Sequence, residues 1–163
     1  MTRPRADVLV LCYGNPGRLD DGLGPALARE LTGRPVPGVE VEEAWQLQVE
    51  HAERIAAFDL VVFVDADAAC AEPFELRPIE PRTELSFSSH SVAPEALLAL
   101  AREHFASQVR GLVLGIRGWH FDGFGERLSA RARVNLAAAA RFMDRALSSG
   151  ELCDPADASA SRR

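Results

Sequence analysis

Apolar positions along this chain fall into two kinds of pattern, unbroken short runs and stripes at helical spacing. The segment Asp7–Tyr13 is a continuous apolar run after its first residue and ends at Gly14, which predicts a strand covered on both faces. Phe58–Val64 repeats the pattern more strongly and runs into Asp65-Ala66-Asp67, and Gly111–Ile116 gives a third buried strand. Val39 and Val41 mark a shorter strand. Phe74–Ile79 is flanked and interrupted by Pro73, Pro78 and Pro81, as expected of a sheet edge.

Between these runs the period lengthens. Leu23, Leu27 and Leu31 recur at i, i+4 and i+8, with Pro25 in the first turn and Gly33 as the stop. Val49, Ala52 and Ala56 predict a short helix, and Leu97, Leu98, Ala101 and Phe105 share the face of a longer one. The last helix places Leu128, Ala132, Leu136, Ala140, Met143 and Leu147 on one stripe, with Arg131, Arg133, Arg141 and Arg145 largely elsewhere. Strands alternating with helices predict a single α/β domain over 1–147. Its form is a three-layer sandwich, a mostly parallel twisted sheet of about five strands with helices on both faces. The polar stretch 148–163 reads as a disordered tail.

Composition narrows the function. The 163 residues are 47% hydrophobic and 26% charged, enough for one domain with a proper core. No apolar run approaches the roughly 20 residues that cross a bilayer, and the N-terminus lacks a signal-peptide pattern. A cytoplasmic protein without membrane insertion is the expectation. The net charge of −6 argues against nucleic acid. All 18 basic residues are arginine, which removes a P-loop lysine, a Schiff base and a Ser-Lys dyad together. Cys12, Cys70 and Cys153 form neither a disulfide framework nor a CxxC clip; the first two are expected to be buried and the third to lie in the tail. No apolar stripe is left over once the core is assigned, so a monomer is expected.

Ligands of parallel sheets bind beyond the carboxyl ends of the strands. Asp20 and Asp21 follow the first strand, Asp65 ends a central one, and His90 lies in the Ser88-Ser89-His90-Ser91 loop. A carboxylate ending a buried strand must be paired, hydrogen-bonded or metal-bound. One of the adjacent aspartates is expected to cap the following helix and the other to point outward. Two carboxylates and an imidazole suit a borderline divalent metal such as nickel or zinc, with positions left open. No GxSxG elbow accompanies the serines. The Gly14, Gly17 and Gly22 loop does not match GxGxxG, so its glycines are read as supplying backbone angles rather than a phosphate cradle. His51, His104 and His120 are read as surface residues.

These residues resemble the nickel–iron hydrogenase maturation proteases. The similarity is carried in order by Gly14-Asn15, Asp20-Asp21-Gly22-Leu23-Gly24, Gln46-Leu47 with Glu50, Val64-Asp65-Ala66, and Ser88-Ser89-His90-Ser91 with Pro94. It continues through Gly115-Ile116-Arg117-Gly118 and Gly125-Glu126-Arg127-Leu128-Ser129, and spans about residues 7–147. The resemblance implies an aspartic-type endopeptidase that removes a C-terminal extension from the hydrogenase large-subunit precursor. Nickel arrives with that precursor rather than being held permanently. Metal contact and catalysis carry over to Asp21, Asp65 and His90, and substrate binding to Asn15, Glu43 and Gln46. A non-catalytic nickel-sensing adaptor that docks on the precursor is the rival reading. The chain departs from the pattern at Cys12-Tyr13-Gly14-Asn15, where many members have Gly-X-Gly-Asn. It departs again at Glu43, which stands in for an aspartate near the end of the second strand.

Overall fold

The run Leu9-Val10-Leu11-Cys12 has no solvent exposure at any position, so its strand must be sandwiched between two apolar layers. The computed structural model describes residues 7–83 and 91–153 and shows how. Strand β1 (Val8–Tyr13) is followed by a 3-10 turn (Leu19–Gly22), helix α1 (Leu23–Thr32), strand β2 (Val39–Ala44), helix α2 (His51–Ala56) and strand β3 (Leu60–Asp67). Strand β4 (Phe74–Ile79), helix α3 (Pro94–Phe105), strand β5 (Arg110–Arg117) and helix α4 (Ala130–Ser149) complete the layers, with a closing 3-10 turn at Glu151–Cys153.

The described strands form one sheet in the order β2-β1-β3-β5-β4. All neighbours are parallel except β4, which lies antiparallel on the far side of β5. The α/β sandwich expected from the sequence is therefore present. Alternate residues divide the core. Val8, Val10 and Cys12 pack with Leu23 and Leu27 of α1 and with Ala139 and Met143 of α4. Leu9 and Leu11 pack with Ile55 of α2 and Leu97 and Leu98 of α3. Among the described residues no helix is long and apolar enough to cross a membrane.

Four details differ from the sequence reading. Phe105, expected on the buried face of α3, is the last helical residue and is 46% exposed. The buried stripe of α4 includes Asn135, whose amide donates to the Arg117 carbonyl and Glu72 (3.0 and 3.2 Å) and so satisfies its burial. Leu128, placed on that stripe, precedes the helix. Regular structure also continues past 148: Leu152 is buried against the α1/α4 core, and the Cys153 carbonyl accepts from the Arg110 guanidinium at 2.9 Å. The remainder of the expected tail lies outside the described residues.

Candidate active site

The chain leaves β1 toward β2 on one side and later returns to β3 on the other. Connections after β1 and β3 therefore diverge, opening a crevice at the carboxyl ends of this pair, where α/β sheets bind ligands. The loop after β1 is drawn tightly into this point. Gly14 has φ +143°, and a Cβ there would lie 2.1 Å from the Asp21 carbonyl oxygen. At Gly24 a Cβ would lie 2.3 Å from the Tyr13 carbonyl and 3.0 Å from that of Val64, so the start of α1 rests directly on β1 and β3. Asp21 is thereby fixed at the crevice. Its Oδ2 accepts the Asn15 N–H at 2.8 Å, and the Asn15 side chain in turn accepts the Gly17 N–H at 2.8 Å.

Asp65 comes to the same place from β3. Cys12 pairs with Val64, so Tyr13 and Asp65 follow side by side. Strand alternation turns Asp65 to the face of Val61 and Phe63. Its carboxyl is pushed up to about 7, chiefly by burial and then by the charge of Asp21, against hydrogen bonds from the Ala66 N–H and the Tyr13 hydroxyl. Burial likewise raises the Tyr13 hydroxyl, with the charge of Asp65 adding to it. Among the described residues neither Asp21 nor Asp65 has an ion-pair partner. Two neighbouring acids without an ion-pair partner among the described residues suit an incoming cation. No three metal-ligating side chains come together among the described residues, and His90 lies outside them. A complete ligand set would need a third donor beyond the two carboxylates.

Asp20 does something the sequence did not reveal. It does not cap α1. It is fully buried, and its carboxylate accepts the N–H groups of Trp119, His120 and Ser129 and the Ser129 hydroxyl at 2.7–3.0 Å. Burial would raise this carboxyl, but those hydrogen bonds outweigh it and hold it below the usual carboxylate range. Ser129 uses the same hydroxyl oxygen to cap α4, accepting the Ala132 N–H at 3.2 Å. Residues 118–129, between β5 and α4, are thus tied to the Asp21 loop. The ring of Trp119 adds to this anchor, lying between the Arg117 and Arg131 guanidiniums at 3.8 Å from each.

Beside Asp21 opens a cleft of about 550 Å³, lined among others by Asn15, Arg18, Trp45, Gln46 and His51. Asn15 and Gln46 therefore share one wall system with Asp21. Glu43 does not: it lines a pocket on the α1 side with Arg29 and Thr32, and its charge raises the buried Cys12 thiol after burial itself. His51, read as a surface residue, borders the cleft, and its Nδ1 accepts the Gln48 N–H at 2.8 Å. It stands five residues after Gln46, which lines the same cleft, and that closeness in sequence was the signal for it. Cys70 is buried, as expected, with its thiol pushed up to about 11 by burial.

No protein-family model and no curated protein sequence matches the chain. Solved structures do. A nickel–iron hydrogenase maturation protease, HycI from Thermococcus kodakarensis KOD1, aligns with TM-score 0.68 and 22% identity over 88% of this chain and 94% of its own. The hydrogenase maturating endopeptidase HybD from E. coli aligns with TM-score 0.70 and 17% identity over 88% and 93%. A hydrogenase 2 maturation peptidase from Thaumarchaeota archaeon SCGC_AB-539-E09 gives TM-score 0.63 and 21% identity over 86% and 97%. The chain has the fold of these proteins along nearly its whole length.

Proposed function

We propose that this chain is a hydrogenase maturation endopeptidase. In this reading it removes the C-terminal extension of a nickel-loaded hydrogenase large-subunit precursor, acting as a cytoplasmic monomer. The observation that supports it most is the pair Asp21 and Asp65, without ion-pair partners among the described residues, at the crevice of a sheet shared with maturation proteases. Those two carboxylates, with His90, would hold the nickel that the precursor brings; a bound divalent ion polarises a carbonyl or acidifies water. The protein's own part is to place and to transfer protons. Asn15 and Gln46 line the cleft and can hydrogen-bond an extended peptide backbone. One carboxylate of the pair takes the proton from water as it attacks the scissile carbonyl and returns it to the departing amine, which conserves the proton.

The test is processing in a purified mixture. Wild-type chain is expected to shorten nickel-loaded precursor and leave nickel-free precursor intact. Asp65→Asn and His90→Ala are expected to remain folded by circular dichroism and to leave the precursor uncut. Full cleavage by both variants overturns the assignment. Binding of the precursor without any shortening would instead establish the adaptor.

A further inference from the structure

Large apolar side chains stand exposed at few points among the described residues, and three of them ring the carboxyl edge of the sheet. Trp45 follows β2 directly and Val49 lies in the turn into α2, while Phe124 lies between β5 and α4. Isolated exposure of this kind is ordinary. The presentation of Phe124 is not. Phe124 is 91% exposed, yet the residue after it and both ends of its loop are held by hydrogen bonds. Gly123 and Gly125 flank it at φ +138° and +151°, conformations that side chains rarely adopt, and both pack against Leu19. Gly125 donates to the Gly17 carbonyl at 2.8 Å and accepts the Leu19 N–H at 2.9 Å. Arg18, between those two partners, bridges to Gly125 and lines the Asp21 cleft together with Trp45. Asp20 fixes both ends of the loop through Trp119, His120 and Ser129. A loop tied to residues 17–19 therefore displays an aromatic ring to solvent, next to the segment that lines one cleft with Trp45.

We propose that Phe124 and Trp45 are the anchors of a docking face for the folded body of the protein substrate, flanking the cleft that receives its tail. This rests on the processing role proposed above and adds to it how the partner is gripped. Rigid aromatic anchors bind with little ordering cost, so the partner needs only a matching apolar patch beside its cleavable extension. A second copy of this chain fits poorly, because seating it across both aromatics would close the Asp21 cleft between them. The chain's own C-terminal residues fit poorly too. Asp154-Pro155-Ala156-Asp157-Ala158-Ser159-Ala160-Ser161-Arg162-Arg163 contains no apolar side chain larger than proline, and Cys153, before it, is bonded to Arg110 at the opposite edge of the sheet.

The experiment compares initial cleavage rates of nickel-loaded precursor by wild-type chain, Phe124→Ser, Trp45→Ser and, as a distant control, Phe105→Ser. Phe124→Ser is expected to lower kcat/KM at least tenfold with the melting temperature unchanged, Trp45→Ser to lower it as well, and Phe105→Ser to stay within twofold. A Phe124→Ser variant within twofold of wild type overturns the docking face. Should wild-type chain cut nothing, the processing role fails, and pull-down of the same precursor by the same variants decides the docking face. Weaker capture by Phe124→Ser than by Phe105→Ser supports it, and equal capture, or none by any form, overturns it.

Discussion

Two adjacent aspartates meet opposite fates, and the difference lies in what each oxygen touches. Asp20 is surrounded by donors and held below the usual carboxylate range, so its ionised form is what the fold binds. That contribution is full at neutral pH and is lost as pH falls below the range where an unfolded aspartate titrates. Asp20→Ala is expected to cost about 3 kcal/mol at pH 7 in a urea unfolding titration, since it removes the buried acceptor of three N–H groups and the Ser129 hydroxyl. Asp65 behaves in the opposite sense. Its carboxyl, raised to about 7 by burial and the Asp21 charge, favours the neutral form. Stability linked to it is complete below the ordinary carboxylate range and declines as pH rises through about 7. Asparagine mimics the neutral acid at every pH. In the metal-free protein, Asp65→Asn is therefore expected to melt several degrees above wild type at pH 8, with the gap closing toward pH 4.

Elements were read from sequence with unequal success, for physical reasons. The β1, β3 and β5 runs are so uniformly apolar that no other assignment buries them. The Leu23, Leu27 and Leu31 spacing gives α1 in the same direct way. What local pattern cannot carry is which face an edge residue takes: Glu43 sits on the α1 side because β2 pairs with β1 in a register that aligns it with Cys12. Nor can it show where a helix start will press. Gly24 reads as an ordinary helical glycine, yet it marks the contact of α1 with the two central strands. Gly24→Ala is expected to destabilise by about 3 kcal/mol or more, because the atoms it meets are backbone. Gly33→Ala, with ordinary contacts of 3.5 and 3.8 Å and helical φ, is expected to gain about 0.5 kcal/mol by the same titration.

At the scale of the whole molecule, strand order decides where chemistry can occur, and order depends on pairings between distant segments. The chain's rule of alternation was enough to send Asp21 and Asp65 to one edge. The divergence of connections after β1 and β3 and the burial of Asp20 both required partners far along the sequence. His90 lies outside the described residues, so its placement at that edge stays a proposal. The most distant of these partnerships joins Asp20 to Ser129 across 109 positions. One buried carboxylate therefore laces together the segment that carries Asp21 and the segment that displays Phe124. Neither can fray alone. Amide hydrogens of Leu19, Asp20, His120, Gly125 and Ser129 should exchange with deuterium at a common rate, as one cooperative patch. Asp20→Ala should unlock all of them while the amides of β1 and β3 remain slow.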